Sequence, residues 1–551
     1  MLQSFEHKVF WFPSKNFNLA LVLMAEVPSN QLFYMKISKH FFGLFLIISI
    51  LFSCGGKNEK QVAQSSANNK APVFEPNWES IKKNYKDPEW FNDSKFGIFI
   101  HWGGYSVPAY GSEWYPRQMY MDTANFSAQL KNLGDGPTEI YLHHKKKWGD
   151  QKTFGYKDFI PMFKAEKFDP VSWIDLFKKA GAKYVIPVAD HHDGFAMYKS
   201  NTTRWNAMDM GPNRDVLGEL FAEGRKQGLT MGASSHYAFN WSFYNKKDRF
   251  DTVDPEYSDL YSKKGKDVTE PVSDEFKKLW WDRTVDLIDN YKPDILWFDF
   301  YLDIPDFEAY RPKIAAYYYN KGIEWGKEVV INDKNLYHEA FPEGTVIYDL
   351  ERGKLPGIRK LPWQTDTSIG KNSWGYVTNE EAKTANSLVD DLVDIVSKNG
   401  NLLLNVGPKP DGTIPEDQKE TLLQIGKWLK TNGEAIYGTE HWKTFGEGPT
   451  EVKGGYMSEH NVKKGFTAQD IRFTQKGDKL YAILLDWPSD GKINIKTLGT
   501  DSGYAKDLDI KSVSLLGSSS KLDFDQTKEG LLVSNMGEKT GNFAYVLEIR
   551  I

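Results

Sequence analysis

The chain has 551 residues, of which 40% are hydrophobic and 26% are charged, so it can bury a large core and is not disordered as a whole. Its net charge of -5 argues against broad nucleic-acid binding driven by charge, and its single cysteine excludes a disulfide framework and a cysteine-rich metal site. Aromatic residues make up 15% of the chain, which favours a large packed core, although exposed rings can also stack on sugars.

The first predicted element is a secretory signal within residues 1–53. Its apolar run, 41–52, is too short for a transmembrane helix, which needs about 20 residues, and basic residues precede it from Met35 onward. We predict that the true start is Met35, because the residues upstream do not fit such a signal. Cys54 follows a small residue, as in the lipobox of bacterial lipoproteins. We therefore expect an exported bacterial lipoprotein of the periplasm or cell envelope, attached to a membrane by a lipid on Cys54; an ordinary signal peptide is the alternative.

Three further segments follow the predicted signal. Residues 54–74 are predicted to be a lipidated flexible tether, because 57–71 is mostly Gln, Ser, Asn, Lys and Ala without periodicity. A catalytic barrel is predicted at 75–438 and a β-sandwich at 439–551. The sequence predicts no particular oligomeric state.

The segment 75–438 alternates predicted strands with predicted helices. The predicted strands are 96–102, 184–192, 229–236, 294–299, 329–333, 345–349, 361–364 and 402–407. The predicted helices are 171–180, 214–227, 275–291 and 380–398, with Gly181 and Gly228 at expected helix ends. Polar residues gather at the carboxyl ends of the strands, and in a barrel these ends converge on one face. The pattern therefore favours a (β/α)8-like barrel over an open doubly wound sheet.

The pattern changes after Gly438, where helical signals stop. Apolar or alternating runs at 479–485, 492–498, 512–516, 531–534 and 544–551 are separated by turn residues. This spacing predicts a C-terminal antiparallel β-sandwich, and it carries no obvious chemistry.

Asp299 ends the fourth predicted strand of the barrel. A carboxylate at the end of a buried strand needs partners or water, because burying an isolated charge is costly. A helix cap or an ion pair would explain a single aspartate of this kind. In a barrel, however, the same position points into the functional site.

His101, His191 and His192 form a second polar group, together with the neighbouring Asp190 and Asp193. Histidines near carboxylates can bind a metal, but adjacent strand residues point to opposite faces, so His191 and His192 would not easily hold one ion. We expect these histidines to recognise sugar hydroxyls, with one of the adjacent pair buried in the core. No metal and no cofactor is expected.

Loops after the strands add further candidates. Glu113 and Trp114 follow the first strand, and Glu351 lies beside Arg352, where a simple surface pair is the alternative. The aromatic stretch 363–376 fits either a ligand wall or loop packing. Carboxylates, histidines and many aromatic rings, without a phosphate loop or zinc helix signature, indicate glycoside hydrolysis by two carboxyl groups.

Several motifs recur in order across residues 85–440. They are FGIFIHWG (96–103), SEWY (112–115), AGAKY (180–184), HHDGF (191–195), LWFD (296–299), SWGY (373–376), NGNLLLNVGP (399–408) and DG (411–412). Through these motifs, which span nearly the whole predicted barrel, the chain resembles the α-L-fucosidases of glycoside hydrolase family 29. The resemblance implies a retaining exo-α-L-fucosidase that acts on fucosylated glycans.

The same resemblance assigns roles to individual residues. Asp299 matches the family's nucleophile. Positions that line the fucose pocket are matched by His101, Glu113, Trp114, His191, His192 and Trp297. The acid/base lies in a variable region of the family; Glu351 is the first choice, with Asp349 and Glu339 as less favoured alternatives. Some relatives carry a tyrosine where this chain has GASSH (232–236), so His236 is expected to take over a sugar contact.

Two other functions fit the same residues. One is a non-catalytic sugar-binding lipoprotein on a hydrolase scaffold, since a fold alone does not fix a function. The presence of both candidate carboxylates argues against it. The other is a metal-dependent hydrolase that uses His191 and His192, which exhaustive chelation would inactivate.

Overall fold

The computed structural model describes residues 73–123, 136–263, 270–334, 339–461 and 465–551. The predicted signal region, Cys54 and the tether through residue 72 lie outside the described residues. Phe74 is already buried, and its backbone N–H donates to Asn320 Oδ1 at 3.0 Å. Within the described ranges, no helix has both the length and the apolar character needed to span a membrane.

Eight parallel strands close into a barrel in chain order, with the last strand paired to the first. They are β1 (Phe96–Ile100), β2 (Tyr184–Asp190), β3 (Thr230–Ser235), β4 (Ile295–Phe298), β5 (Val330–Lys334), β6 (Ile347–Asp349), β7 (Trp363–Ser368) and β8 (Gly400–Val406). The closed ring confirms the predicted barrel and rules out the open sheet. The seventh strand begins and ends later than predicted. Its later end was not predicted because residues 365–368 are polar, although they are buried.

The helices confirm the alternation of strand and helix over most of the barrel. Those in the described residues are α1 (Trp78–Asn84), α2 (Glu89–Ser94), α3 (Tyr115–Gln118), α4 (Glu139–Lys147), α5 (Pro170–Lys179), α6 (Val216–Lys226), α7 (Asn240–Phe243), α8 (Ser258–Tyr261), α9 (Asp274–Tyr291), α10 (Arg311–Trp325), α11 (Ala385–Ser397) and α12 (Glu416–Asn432). The helix predicted to begin at Glu380 starts five residues later, because the Thr384 side chain caps it by accepting from the Ser387 N–H. Gly181 and Gly228 both adopt positive φ after α5 and α6, as expected of helix stops.

The barrel departs from a full (β/α)8 repeat in its second half. Neither β5 to β6 nor β6 to β7 is joined by an α-helix in the described residues. The connection after β6 is instead an irregular segment, 350–362, that begins at the carboxyl end of the barrel and leads to the start of β7. This irregular connection carries Glu351.

The C-terminal part is built from two antiparallel sheets, in agreement with the predicted all-β architecture. Its strands are β9 (Glu440–Glu447), β10 (Ile471–Lys476), β11 (Lys479–Leu484), β12 (Ile493–Ile495), β13 (Ser512–Leu515), β14 (Asp523–Gln526), β15 (Leu531–Ser534) and β16 (Tyr545–Arg550). One sheet has the order β13-β16-β11-β10-β9 and the other β12-β15-β14. The sequence analysis did not indicate β9, β10 or β14, the last an edge strand whose residues are mostly exposed and lack an apolar face.

A buried charged group joins the barrel to the first of these sheets. Asp394 of α11 accepts from Lys398 Nζ at 2.7 Å and from Arg472 Nε of β10 at 2.6 Å. Burial alone would raise the pKa of Asp394, but the two cations hold it at about 2. We call Asp394, Lys398 and Arg472 the junction cluster.

Candidate active site

Asp299 lies at the centre of the carboxyl end of the barrel, directly after β4, and only 4% of it is exposed. Its Oδ1 is 3.0 Å from Lys334 Nζ, and its Oδ2 is 2.9 Å from His192 Nε2 and 3.1 Å from His236 Nδ1. Burial would raise the pKa of Asp299, but Lys334 and the two histidines together hold it well below its usual range. Asp299 is therefore an ionised carboxylate, as a nucleophile must be.

The two histidines on Asp299 differ in the partner of their second ring nitrogen. The Nδ1 atom of His192 lies 2.5 Å from the backbone carbonyl of His236, and its Nε2 faces the Asp299 carboxylate. Both of these partners are hydrogen-bond acceptors. Burial lowers the pKa of His236 to about 4, so its neutral ring donates from Nδ1 to Asp299 and accepts at Nε2 from Ser234 Oγ, 2.6 Å away.

Lys334, the last residue of β5, connects Asp299 to Glu351. Its Nζ lies 3.2 Å from Glu351 Oε2 and 3.7 Å from Asp366 Oδ2. Burial would lower the pKa of Lys334, but the three surrounding carboxyl groups raise it well above its usual value. Sequence reasoning missed Lys334, although its place at a strand end is the signal that singled out Asp299.

The shared lysine limits the distance between the two candidate catalytic carboxyl groups. Since one nitrogen contacts Asp299 Oδ1 at 3.0 Å and Glu351 Oε2 at 3.2 Å, these oxygens lie within about 6 Å of each other. Retaining glycosidases place their two carboxyl groups about 5–5.5 Å apart, and inverting enzymes about 6.5–9.5 Å. The upper bound of about 6 Å on this one oxygen pair is compatible with the retaining spacing.

The three acid/base candidates occupy different surroundings. Glu351 is the one whose carboxylate contacts Lys334. Asp349 points into the barrel interior, where its Oδ2 accepts from Trp297 Nε1 at 3.0 Å. Glu339 is exposed and accepts from the Glu343 backbone N–H at 2.8 Å. This placement favours Glu351.

Arg352 and Trp297 have different partners from those expected. The surface pair of Glu351 with Arg352 does not form, because Arg352 pairs with Glu459 of the C-terminal part at 2.9 Å. Trp297 is fully buried, and Lys334 Nζ lies over its ring, 5.0 Å from the centroid. Trp297 therefore contacts Lys334 from inside the barrel.

The histidines on the other side of the site leave ring nitrogens available. His101 Nδ1 donates to Asn405 Oδ1 at 2.7 Å, and burial lowers its pKa well below the usual value, so its Nε2 is an acceptor. His191 Nδ1 is buried and has no hydrogen-bond partner among the described residues. The rings of His191 and His192 lie 4.7 Å apart, because these residues follow β2 in a turn where strand alternation does not apply. Both histidines are buried, and both ring nitrogens of His192 have partners, as expected of a satisfied histidine for one of the pair, although His192 also contacts Asp299.

Glu113 and Trp114 lie between β1 and α3. Glu113 is buried and accepts from the Trp374 N–H at 2.9 Å and from Ser373 Oγ at 3.1 Å; burial raises its pKa. The ring of Trp114 is half-buried and nearly parallel to that of Phe300, with centroids 6.1 Å apart. These contacts place a carboxyl group and an aromatic surface beside the histidines.

The aromatic stretch 363–376 divides between the two roles considered for it. Trp363 is buried away from the site and donates from Nε1 to the Lys398 carbonyl at 2.9 Å. Trp374 lies in the site, with its ring 5.2 Å from that of His101. Loop packing therefore explains the first tryptophan, and the second belongs to the site wall.

Two sets of side chains also have the spacing of metal ligands. His101, His191 and His236 form one set, and His192, His236 and Asp299 form the other, each with its ligand atoms within 4.8 Å. Both nitrogens of His236, which belongs to both sets, already make hydrogen bonds within the protein. The donor and acceptor pattern thus suits a polyhydroxylated ligand better than a cation.

Comparisons with known proteins agree with this geometry. The family described as alpha-L-fucosidase matches residues 61–434, and the alpha-L-fucosidase C-terminal domain matches residues 463–550. The tissue alpha-L-fucosidase of Rattus norvegicus is 32% identical over 501 residues, which cover 90% of this chain and 92% of that protein. The tissue alpha-L-fucosidase of Homo sapiens is 32% identical over 437 residues, which cover 78% and 82%.

Solved structures give the same result. The Thermotoga maritima alpha-fucosidase in complex with fucose superposes with a TM-score of 0.65 at 32% identity, covering 86% of this chain and all of that one. An alpha-L-fucosynthase from the same organism gives a TM-score of 0.67, also at 32% identity, over 87% of this chain. No support for the non-catalytic alternative comes from these relatives.

Proposed function

The chain belongs to the alpha-L-fucosidase family of glycoside hydrolases, and on that basis we propose that it is a retaining exo-α-L-fucosidase. Its substrates would be glycoconjugates with terminal α-L-fucosyl groups. The observation that supports the mechanism is the contact of Lys334 with both Asp299 and Glu351, which brings one oxygen of each carboxyl group within about 6 Å of the other, a bound compatible with a retaining enzyme.

In the first step, the Asp299 carboxylate attacks the anomeric carbon of fucose while Glu351 donates a proton to the departing glycosidic oxygen. In the second step, Glu351 takes a proton from a water molecule, and that water breaks the ester to Asp299. The negative charge thus moves from Asp299 to Glu351 and back. Lys334 contacts both groups, so its positive charge stabilises the carboxylate in either state.

The remaining polar groups would hold the sugar. In the described residues, neither His101 Nε2 nor His191 Nδ1 makes a hydrogen bond within the protein. Glu113 offers a buried carboxyl group beside them. These atoms suit the hydroxyl groups of fucose, and the Trp114 and Phe300 rings offer apolar surface for its methyl group.

The test is hydrolysis of 4-nitrophenyl α-L-fucoside by residues 55–551, followed by proton NMR, beside an Asp299→Gly variant. We expect the wild type to release α-fucose first and the variant to release none above background. Release of β-fucose first would refute retention, and no release by the wild type would refute the proposed substrate.

We also propose that the enzyme is exported as a lipoprotein with its lipid on Cys54. The support is the sequence pattern around residues 41–54. In bacteria fed radioactive palmitate, the wild-type chain should be labelled and recovered with membranes, whereas Cys54→Ala should be unlabelled. Equal labelling of both chains, or of neither, would contradict the proposal.

A further inference from the structure

A short segment of the C-terminal part lies along the connection that carries Glu351. We call residues 454–459 the strap. Its backbone pairs with residues 351–354: the Met457 N–H donates to the Glu351 carbonyl at 3.0 Å, and the Gly455 N–H donates to the Lys354 carbonyl at 2.9 Å. The strap therefore reaches the carboxyl end of the barrel although it lies beyond β9 in the chain.

Side chains fix the strap in this position. Glu459 pairs with Arg352 at 2.9 Å and with Lys383 at 2.7 Å, and all three are largely buried. Gly454 permits the close approach, since a Cβ atom there would lie 2.5 Å from Pro356 Cδ. The strap is thus held by backbone and charged contacts rather than by a single side chain.

Tyr456 projects from the strap toward the catalytic carboxyl groups. Its hydroxyl lies near Glu351, since burial followed by the charge of that carboxylate raises the pKa of Tyr456 above its usual value. Yet 50% of the residue is exposed, which is unusual for an aromatic residue of this core-rich protein. Tyr456 therefore lies between Glu351 and the solvent.

The position of Glu351 indicates which part of the substrate lies beside Tyr456. A general acid must lie within hydrogen-bond reach of the glycosidic oxygen that it protonates. The leaving group therefore extends past Glu351, on the side opposite the fucose pocket. An exposed aromatic ring next to that point offers a flat apolar surface to the C–H face of a sugar.

We propose that Tyr456 forms the leaving-group site of the enzyme and stacks against the sugar to which fucose is attached. This inference rests on the proposed function, because it assumes that Glu351 is the acid. It assigns a role in substrate selection to the C-terminal part, which the sequence left without chemistry. The occupant is a glycosyl leaving group; a halide leaving group is too small to gain from the ring.

The test compares two substrates that share fucose but differ in leaving group. One is an α-L-fucosyl disaccharide, and the other is α-L-fucosyl fluoride, whose leaving group is too small to reach Tyr456 and needs no protonation. For Tyr456→Ala, we expect the ratio of kcat/KM values, disaccharide over fluoride, to fall about tenfold. Tyr504→Ala, at another exposed tyrosine of the C-terminal part, is the matched control and should leave the ratio as in the wild type.

A Tyr456→Phe variant separates the ring from the hydroxyl. It keeps the stacking surface and loses the interaction with Glu351, so we expect its ratio to stay within threefold of the wild type. An unchanged ratio in Tyr456→Ala, or a Tyr456→Phe loss as large as that of Tyr456→Ala, would overturn the stacking role. If the wild type hydrolysed neither substrate, the failure would lie in the proposed function instead.

Discussion

Two buried charged clusters in this protein have opposite compositions. In the junction cluster, one carboxylate, Asp394, faces two cations. In the group around Lys334, which we call the site cluster, one cation faces three carboxyl groups, those of Asp299, Glu351 and Asp366. In the junction cluster, the two cations stabilise the ionised form of Asp394, so this carboxyl group does not hold a proton. The second has more carboxyl groups than its lysine can neutralise, so a proton can reside there and move.

This difference separates an ion-pair group suited to stability from one suited to proton transfer. Burial and the neighbouring Asp349 raise the pKa of Asp366 well above its usual range, whereas the cations of the junction cluster hold the pKa of Asp394 at about 2. Carboxyl groups with divergent pKa values in one site are the arrangement that acid and base catalysis needs. The junction cluster offers stability without such divergence.

The largest expected effect is the loss of activity in Asp299→Asn. The amide keeps the size of the side chain but cannot attack the anomeric carbon, so kcat for an aryl α-L-fucoside should fall about 10⁴-fold or more. The melting temperature, measured by differential scanning calorimetry, should change little by comparison. A variant that keeps a tenth of the wild-type kcat would show that Asp299 is not the nucleophile.

Glu351→Ala should lose most activity on the substrates whose leaving groups most need protonation. Substrates with poor leaving groups should lose about 10²–10⁴-fold in kcat/KM, because general acid catalysis contributes that much, while fucosyl fluoride should lose far less. Steady-state kinetics on both substrates measure the difference. Equal losses on the two would remove Glu351 from the role of acid, and Asp349→Ala is the matched comparison.

Arg472→Met should reduce stability. It leaves Asp394 buried with one cation, and breaking a buried ion pair in this way costs about 3–5 kcal/mol. Denaturant unfolding measures the loss, and Arg550→Met, at a half-exposed arginine of strand β16 in the same sheet, should cost less than about 1 kcal/mol. Equal losses in the free energy of unfolding would mean that the junction cluster stabilises the protein no more than an exposed ion pair does.

The smallest effect concerns Asp390, one turn before Asp394 on α11. Its Oδ2 accepts from Asn386 Nδ2 at 3.0 Å, and burial followed by the charge of Asp391 raises its pKa to about 8. An unfolded aspartate titrates near 4, so the unfolded chain loses this proton first as pH rises. Wild-type stability should therefore fall between about pH 4 and pH 8 relative to Asp390→Asn.

Thermal unfolding at pH 5 and pH 8 measures that difference. We expect Asp390→Asn to exceed the wild type by about 1–3 kcal/mol at pH 8 and by less at pH 5. Asp523→Asn, at an exposed aspartate of β14, serves as the control and should show no such trend. An advantage of Asp390→Asn that does not grow with pH would contradict the raised pKa.

Much of the fold followed from local patterns. The barrel strands with apolar runs were predicted within a few residues, because a strand buried on both faces reads as a continuous apolar segment. Residues 365–368 of β7 were missed, because they are buried through hydrogen bonds and ion pairs that only the assembled barrel provides. Helices α10 and α12 were also not predicted, although their lengths exceed those of several predicted helices.

The site was only partly accessible to the same reasoning. Asp299, His191 and His192 stand at strand ends next to recognisable motifs. Lys334 and Tyr456 do not stand out, because their importance comes from contacts with residues distant in the chain. A lysine at a strand end is ordinary in a sequence until three carboxyl groups surround it.

The most direct test of the account is to trap the covalent intermediate on Asp299. The reagent 2-deoxy-2-fluoro-α-L-fucosyl fluoride slows both chemical steps through its ring fluorine but keeps a good leaving group, so the ester should accumulate. Mass spectrometry of the digested protein should find one fucosyl adduct, on the peptide that contains Asp299. An adduct on another carboxyl group, in an enzyme that hydrolyses α-L-fucosides normally, would contradict the assignment of the site cluster.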